Sequence, residues 1–470
     1  MSDSAVCYMP AAEMAAAIRT RRVSPVEIVD DILARIERLN PELNAFCTVT
    51  ADQARADARA AEAALIRGDA VGPLHGVPVS VKDLIETAGV RTTLGSRVFS
   101  DYVPAGDAPV VTRLRRAGAV ILGKTNTCEF GHKAVTDNRI FGPSRNPWRP
   151  SHTPGGSSGG AAAAVAAGLG PLAVGTDGGG SIRIPASCCG IVGFKPTLGR
   201  VAQAPLFGGL EIMLHTGPMA RSVRDAALLL DAISGPDPRD PSSLPADGTE
   251  YAAACGGAVR GLRVGWTPDW GYAAVDPEIR RITGAAAARF EELGCRVDEA
   301  APGFGDPADA FETLSSASTA ARWGYLLPAQ RDQLDPSTLP WIERGLTWSA
   351  VEFVRAAACR RTLNDVWQRY FARFDLLLTP TLAAPPLPVG IDGYGEIGGK
   401  PVGRLGWIAF TFPLNMVGYP AASVPCGRTE AGLPVGLQIV GPRFADALVL
   451  RAAAAWEAAA PWADDRPPIA

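Results

Sequence analysis

A glycine-rich segment carries a serine in a position suited to nucleophilic attack. The segment reads Gly175-Thr-Asp-Gly-Gly-Gly-Ser-Ile-Arg-Ile-Pro185, and Ser181 directly follows the three glycines 178–180. Successive glycines can turn consecutive backbone N–H groups into one concavity, which is the arrangement that a developing oxyanion requires. The segment therefore predicts a nucleophilic serine beside an oxyanion hole, with a plain glycine-rich bend as the structural alternative.

A second cluster of small residues, Gly155-Gly-Ser-Ser-Gly-Gly160, precedes the helix-forming run Ala161–Ala167. Alone, such a cluster is equally typical of a turn that caps a helix. Its glycines also permit unusual backbone geometry around two hydroxyl groups at the start of a helix. Because both clusters occur in one chain, we favour a catalytic interpretation over two unrelated turns.

The rest of the chain predicts the elements that must position these segments. The first 70 residues read as helices, with a capping box at Ser24-Pro-Val-Glu27. From Val77 onward, short apolar runs broken by glycine alternate with helical segments. This pattern predicts an α/β fold: a single large domain with a mixed, mostly parallel twisted sheet covered by helices on both faces. We assign residues 1–70 to an N-terminal helical segment and residues 71–465 to the α/β domain. Within that domain, residues from about 235 to 410 form a variable substrate-pocket region. Its segment 385–404 is long enough for a lid or specificity loop.

A phosphate-loop pattern, G-x-x-x-x-G-K-[ST], occurs at Gly118-Ala-Val-Ile-Leu-Gly-Lys-Thr125. A true phosphate loop follows a strand, is flexible between its glycines and opens a helix. Here the order is reversed, because Thr112–Ala117 has a helical pattern and Ala119–Leu122 has that of a buried strand. Nucleotide binding is therefore the disfavoured alternative from a different class of function.

Composition excludes several other classes of protein. The 470 residues contain 45 Lys and Arg against 48 Asp and Glu, which provides no basic surface for nucleic acid or an anionic membrane. Nine cysteines occur without a C-x-x-C pair, so neither a zinc site nor a thioredoxin-like site is predicted, and a chain of this length is not expected to need a disulfide framework. We find neither a secretory signal pattern nor a long apolar span. We expect a cytoplasmic protein without metal or cofactor, acting as a monomer or homodimer on a small molecule.

The motifs together resemble those of the amidase signature family. The stretch from Gly155–Gly160 through Ser181-Ile-Arg-Ile-Pro-Ala186 is similar to the defining motif of that family, and Cys189–Thr197 is similar to its continuation. Upstream, Gly76–Asp83 resembles the lysine-bearing strand, and Gly123–Asn126 belongs to the family pattern too, which explains the phosphate-loop match. The resemblance runs from about residue 10 to 460, and it implies the amidase signature fold and hydrolysis of amides.

Carried over residue by residue, the resemblance implies a Ser-cisSer-Lys triad. Ser181 would be the nucleophile that forms an acyl-enzyme, Ser157 the bridging serine after a cis peptide bond, and Lys82 the base. The oxyanion hole would consist of the backbone N–H groups of Gly178, Gly179, Gly180 and Ser181, and the supporting residues would be Ser158, Thr176, Asp177 and Arg183.

The chemistry of the residues fits these implied roles. A serine hydroxyl needs a base, but none of the four histidines, at positions 75, 132, 152 and 215, has such a role in the family, and we expect them to be structural or pocket-lining. A lysine can serve when burial lowers its pKa enough to make it neutral. Lys82 follows the apolar strand Val77–Val81, which predicts that burial. Ser157 would relay the proton that the departing amine needs.

The identity of the amide is less well defined by the sequence. A glutamine-dependent tRNA amidotransferase, whose A subunit is the alternative within the family, uses an acidic residue seven positions before the Asn of a P-x-N motif. That motif resembles Pro413-Leu-Asn415, and the corresponding residue is Ile408, which cannot pair with an ammonium group. We therefore expect an aryl or aliphatic amide, or else a carbamate (urethane) or ester, in a pocket that includes Gly131, Trp341, Trp348, Trp407 and Ile408. For each single tryptophan, a place in the hydrophobic core is the alternative interpretation.

Overall fold

A mixed sheet of eleven strands lies at the centre of the computed structural model, which describes residues 6–205 and 212–469. The strand order in this sheet is 1-3-2-4-6-5-12-13-9-7-8, and strands 10 and 11 form a separate small hairpin. In chain order the strands are β1 (Phe46–Val49), β2 (Pro78–Lys82), β3 (Val120–Thr125), β4 (Leu172–Asp177), β5 (Val192–Lys195), β6 (His215–Ala220), β7 (Arg263–Trp266), β8 (Arg296–Glu299), β9 (Leu376–Pro380), β10 (Glu396–Ile397), β11 (Lys400–Pro401), β12 (Ala421–Arg428) and β13 (Pro434–Val440).

The helices pack around this sheet. None of the described helices is long and apolar enough to cross a lipid bilayer. In chain order they are α1 (Ala11–Arg19), α2 (Pro25–Leu43), α3 (Ala51–Arg67), α4 (Pro109–Arg116), α5 (Gly159–Ala166), α6 (Arg183–Cys189), α7 (Val223–Ile233), α8 (Tyr251–Ala254), α9 (Pro277–Ala288), α10 (Ala308–Trp323), α11 (Leu327–Gln330), α12 (Leu339–Thr347), α13 (Ala350–Phe371), α14 (Phe412–Val417) and α15 (Asp446–Ala459).

The sheet separates two hydrophobic cores, because side chains along each strand alternate between its faces. In β9, Leu376 and Leu378 belong to one core and Leu377 belongs to the other. Helices α1, α2, α7 and α15 contribute buried side chains to the first core, and α6, α10, α13 and α14 contribute to the second. The predicted α/β fold, one large mixed sheet with helices on both faces, is thus confirmed.

The expected predominance of parallel pairing is wrong. Among the described strands, six neighbouring pairs of the large sheet are antiparallel and four are parallel. The parallel pairs are β2–β3, β2–β4, β7–β8 and β7–β9. A strand that is buried on both faces has the same apolar run whichever way it is directed. The sequence pattern therefore indicates that the strand is buried, but not whether it pairs parallel or antiparallel to its neighbours.

The N-terminal helices form where the sequence predicts them. Ser24 Oγ accepts a hydrogen bond from Val26 N at 3.0 Å, and Glu27 accepts one from Ser24 N at 3.3 Å, which completes the capping box of α2. The apolar side chains of α2 enter the same core as the sheet. The N-terminal helical segment therefore shares a hydrophobic core with the rest of the chain. The division of the chain at residue 70 stays a prediction.

The residues that matched a phosphate loop form a helix end and a strand instead. Gly123 lies inside β3, and a Cβ atom there would be 2.1 Å from the carbonyl oxygen of Thr48 on the neighbouring strand. The Lys124 ammonium is buried and donates to Thr87 Oγ1 at 3.0 Å and Thr92 Oγ1 at 3.1 Å. Strand pairing occupies the backbone between the two glycines, so this segment cannot wrap around a phosphate.

Candidate active site

The adjacent strands β2 and β4 end at the same edge of the sheet. They run parallel, with Val81 opposite Val174, so Lys82 and Thr176 come together just beyond this pair. The distance from Lys82 Nζ to Thr176 Oγ1 is 3.0 Å. Strand pairing thus places an amine and a hydroxyl group side by side, although loops and helices separate them in the chain.

Three hydroxyl groups surround the Lys82 amine. Besides Thr176, Nζ donates to Ser157 Oγ at 2.7 Å and to Ser158 Oγ at 2.9 Å. The lysine is completely buried, and this burial lowers its pKa to about 7. A large fraction of such a lysine is neutral at physiological pH, and the neutral amine can accept a proton from a neighbouring hydroxyl.

The serine pair next to Lys82 is held by close backbone contacts. The Gly156–Ser157 peptide bond is cis, and α5 begins two residues after Ser157. A Cβ atom on Gly156 would lie 2.5 Å from the backbone of Val135, and one on Gly159 would lie 2.3 Å from Thr136 Oγ1. The glycines of this cluster are therefore required by space, as well as by the conformation of the loop.

The two glycine-rich clusters contact each other. Ser158 N donates to the carbonyl oxygen of Ser181 at 3.1 Å. Ser181 is 9% exposed and, with Gly178 and Gly179, lines a cavity that also contacts Ser157. The structure thus brings the predicted nucleophile and bridging serine to one cavity, and the buried lysine contacts the bridging serine.

One of the four predicted oxyanion donors is already occupied. Gly180 N donates to Asp177 Oδ1 at 2.7 Å, so this N–H group does not face the cavity as a free donor. The amides of Gly178, Gly179 and Ser181 donate to no acceptor within the part of the chain that the structure describes. Glycine is still needed at 180, where φ is +127° and a Cβ atom would lie 2.3 Å from Thr411 Oγ1.

A buried ion pair supports the loop that carries Ser181. Arg183 Nη2 lies 2.9 Å from Asp177 Oδ1, and both side chains are completely buried. Burial alone would raise the pKa of Asp177, but the charge and hydrogen bonds of Arg183 outweigh it and hold that pKa well below its ordinary value. Arg183 also donates to Gln438 Oε1 at 2.8 Å and Asn415 Oδ1 at 2.7 Å. This network fixes the loop from behind, without contact with the cavity.

The cavity has a volume of about 430 Å³ and walls that are largely apolar. Its inner end contains Ser157, Thr176 and Ser181. Its walls include the apolar side chains of Leu84, Leu94, Phe130, Ile184, Leu214, Phe311, Trp323, Trp341, Leu405 and Ile408.

Of the five predicted pocket residues, Gly131, Trp341 and Ile408 line this cavity, and Trp348 and Trp407 do not. The indole N–H of Trp348 donates to Ser316 Oγ at 2.9 Å, and that of Trp407 donates to the carbonyl oxygen of Ala384 at 2.9 Å. Both indoles are thus held within the protein framework. Because Trp407 and Ile408 are consecutive, only the local turn decides which of the two side chains reaches the cavity.

Several lining residues were not expected from the sequence. Phe130 stacks on Trp323 with ring centroids 4.1 Å apart, and the Arg404 guanidinium lies 4.2 Å from the ring centroid of Trp341. These contacts join segments far apart in the chain. The one local signal is in α10, where residues three and four positions apart share a face and reach the cavity from Phe311 to Arg322.

The predicted lid segment 385–404 forms part of the same wall. It contains the β10–β11 hairpin and is tied to the body by a hydrogen bond from Val389 N to Ser151 O at 3.0 Å. Its residues Asp392, Gly393 and Arg404 line the cavity. Asp392 also lies 3.2 Å from Lys133 Nζ, which lines the same cavity.

The cavity also contains a histidine that cannot serve as an ordinary general base. His132 Nε2 lies 2.8 Å from Ser337 Oγ, and Nδ1 lies 2.8 Å from the carbonyl oxygen of Glu129. Burial lowers the pKa of His132 to about 4, so its ring is neutral and a weak proton acceptor near pH 7. Among the described residues, no cluster of His, Cys, Asp and Glu side chains could hold a metal ion.

A mixed sheet with helices on both faces carries a buried lysine among hydroxyl groups below an apolar cavity, an arrangement suited to an amidohydrolase. The family model described as Amidase matches residues 27–450. The chain belongs to the amidase signature family.

Related proteins cover nearly the whole chain. An acylamidase of Rhodococcus erythropolis is 41% identical over 471 residues, which cover 99% of this chain and 98% of that protein. The A subunit of the glutamyl-tRNA(Gln) amidotransferase of Moorella thermoacetica is 38% identical, with coverage of 98% and 99%. The crystal structure of a bacterial aryl acylamidase of this family superimposes with a TM-score of 0.92, at 36% identity and 97% coverage of both chains.

Proposed function

We propose that the protein hydrolyses aryl or aliphatic acyl amides through an acyl-enzyme on Ser181. The observation that carries this proposal is the 2.7 Å distance between Lys82 Nζ and Ser157 Oγ, at the inner end of the cavity that Ser181 lines. The pKa of about 7 for the Lys82 amine supports its role as the base. The similarity to an acylamidase supports the choice of acyl amides.

In the first half of the proposed mechanism, neutral Lys82 accepts the proton of Ser157, and Ser157 accepts that of Ser181. The Ser181 oxygen attacks the amide carbonyl carbon, and the carbonyl electron pair moves onto oxygen. The N–H groups of Gly178, Gly179 and Ser181 would stabilise this oxyanion. When the C–N bond breaks, the proton returns through Ser157 to the departing nitrogen.

In the second half, a water molecule attacks the Ser181 ester. Its proton passes through Ser157 to Lys82, and collapse of the second tetrahedral intermediate breaks the Cβ–O–acyl linkage at the acyl carbon. The carboxylic acid leaves, and the Ser181 oxygen regains a proton. Esters and carbamates pass through the same tetrahedral intermediates, so we expect activity on them as well.

The competing assignment is the A subunit of a tRNA amidotransferase, because the Moorella thermoacetica protein is nearly as similar as the acylamidase. Ile408 argues against it. This apolar residue lines the cavity at the position where an amidotransferase would need an acidic residue to pair with the ammonium group of glutamine. We propose an enzyme that needs no second protein and acts in the cytoplasm, as a monomer or homodimer.

The proposal is tested with the purified chain alone. We expect turnover of acyl anilides, with lower rates on primary amides, activity on carbamates and esters as well, and none on glutamine. A fluorophosphonate should label Ser181, as located by peptide mass spectrometry, and should not label the Ser181→Ala protein. Turnover of glutamine alone, or amide turnover that survives in Ser181→Ala, would contradict the proposal.

A further inference from the structure

One face of α10 extends along the cavity from the reaction centre to its outer end. Phe311, Ser315, Thr319 and Arg322 all line the cavity, at the spacing of one helical face. Phe311 Cζ lies 2.9 Å from the position that a Cβ atom on Gly179 would occupy, so this end of the face contacts the predicted oxyanion loop. At 1.5 Å per residue, the face is about 16 Å long.

Four of the five hydroxyl groups on the middle of α10 are satisfied within the helix. Each donates to the backbone carbonyl oxygen four residues earlier, which is the usual arrangement for serine and threonine in a helix. The donors and their distances are Thr313 at 2.8 Å, Ser316 at 2.6 Å, Ser318 at 2.7 Å and Thr319 at 2.7 Å.

Ser315 is the exception. Its side chain is 7% exposed, and its hydroxyl group has no hydrogen-bond partner in the described part of the chain. It is also the α10 serine that lines the cavity, whereas Ser318 is buried away from it. A buried hydroxyl without a partner is unfavourable unless a bound molecule supplies the missing bond.

We propose that Ser315 is a specificity-determining residue whose hydroxyl, after rotation about its Cα–Cβ bond toward the cavity, donates a hydrogen bond to an acceptor oxygen in the part of the substrate that lies along α10. This inference rests on the proposed amidase function. The preferred substrates are elongated amides with a second oxygen acceptor, such as a carbonyl or ether, beyond the reacting carbonyl. One helical turn separates Ser315 from Phe311 beside the oxyanion loop, so we place this acceptor roughly 6 Å from the reacting carbonyl.

The test uses two series of long-chain anilides, one with a keto oxygen moved stepwise along the acyl chain and one with an ether oxygen moved along the aniline substituent. We expect one position in one series to have kcat/KM about tenfold above the oxygen-free parent. This gain, expressed as the ratio of kcat/KM for the oxygen-bearing substrate to kcat/KM for the parent in the same protein, should disappear in Ser315→Ala. Ser318→Ala is the matched control, because its hydroxyl is satisfied within the same helix, and it should retain the gain.

Two readouts separate the possible outcomes. If the parent is not hydrolysed and Ser181 is not labelled by a fluorophosphonate, the proposed amidase function fails. If the parent is hydrolysed but no oxygen position distinguishes wild type from Ser315→Ala, the role of Ser315 is refuted. A thermal melting temperature of Ser315→Ala equal to or above that of wild type would agree with loss of an unpartnered hydroxyl, whereas a large decrease would indicate a structural role instead.

Discussion

Lys82 Nζ lies 2.7 Å from Ser157 Oγ, although 75 residues separate them along the chain. The contact forms because the lysine ends one strand, while the serine lies two residues before a helix that packs against the same sheet. Burial lowers the pKa of this amine to about 7, far below that of a lysine on the surface, and three hydroxyl groups lie within hydrogen-bond distance of it. The expected results of changing this arrangement follow from its geometry.

Replacement of Ser181 by alanine should reduce amide turnover by about 10³-fold or more, because the acyl-enzyme can no longer form. The measurement is kcat on an anilide, with urea unfolding to check that the fold is intact. Thr313→Ala, which removes a buried hydroxyl from α10 outside the cavity, is the control and should keep wild-type kcat. Comparable losses in both variants would mean that Ser181 has no special role.

The pH dependence should report Lys82. In the proposed mechanism its neutral form is the base, and its pKa is about 7, so kcat/KM should rise from pH 5.5 through 7 and level off above about pH 8. Lys82→Arg should lose about 10²–10⁴-fold in kcat/KM, because arginine stays protonated.

A control is available for this profile. Burial also raises the pKa of Glu457 to about 7, but this residue lies outside the cavity, where its carboxylate accepts a hydrogen bond from Val223 N. Glu457→Gln should therefore leave the acidic limb unchanged. If the acidic limb moves in Glu457→Gln but not in Lys82→Arg, the pH dependence does not come from Lys82 and our assignment is contradicted.

Thr176→Val should shift the same limb to lower pH. Thr176 Oγ1 accepts a hydrogen bond from Lys82 Nζ at 3.0 Å, and this bond favours the charged ammonium. Without it the pKa of Lys82 falls further, by roughly half to one unit. Thr283→Val, at a buried helical position whose hydroxyl bonds Ile279 O at 2.7 Å, should leave the profile in place. A shift to higher pH in Thr176→Val would show that this hydroxyl does not stabilise the ammonium form.

Arg183→Met should lower the free energy of unfolding by about 3–5 kcal/mol, because it leaves the Asp177 carboxylate buried without its partner. The measurement is equilibrium unfolding in urea. The double variant Asp177→Asn with Arg183→Met should lose less, since no lone charge remains. Arg55→Met, which breaks an exposed ion pair with Asp30, should be indistinguishable from wild type. Equal stability of Arg183→Met and Arg55→Met would contradict this account.

Arg404 should favour substrates with a carboxylate at the outer end of the cavity. It stacks on Trp341, and no carboxylate of the described residues lies within ion-pair distance of it. At low salt we expect the KM of a carboxylate-tipped anilide to be roughly two- to fivefold below that of its methyl ester, a preference that 0.5 M NaCl reduces. Arg404→Gln should remove the preference, whereas Arg443→Gln, at an exposed residue outside the cavity that stacks on Phe444, should not. A preference that persists in Arg404→Gln would place the anion elsewhere.

The sequence was most informative where the chemistry is local. The glycines around Ser157 and Ser181 contact residues outside their own clusters, such as Val135 beside Gly156 and Thr411 beside Gly180, but the glycine pattern itself lies in adjacent residues and is therefore visible in the sequence. The apolar run before Lys82 likewise predicts a buried strand, and burial is what lowers the pKa of the amine.

Other features depend on contacts that no local pattern encodes. Strand polarity could not be predicted, since both directions bury the same apolar residues. Likewise, only the packing of the turn at Gly406–Ile408 decides that Trp407 faces Ala384 while Ile408 faces the cavity. The engagement of Gly180 N by Asp177 follows from a loop conformation that Arg183 stabilises from behind. The sequence therefore predicted which residues come together better than it predicted what each backbone group would do there.

The parallel strands β2 and β4 carry Lys82 and Thr176, and the loops before α5 and α6 carry Ser157 and Ser181. Much of the cavity wall comes instead from α10, α12 and the segment 385–404, which add nothing to the proposed proton path. A change in these walls can alter which molecule enters while leaving the bond-breaking apparatus intact. Selection on mutations in these walls would act mainly through their effect on folding. The residues of the proposed proton path and the residues of the cavity wall thus lie on different elements. Substrate preference can therefore change through the wall while the proposed chemistry stays the same.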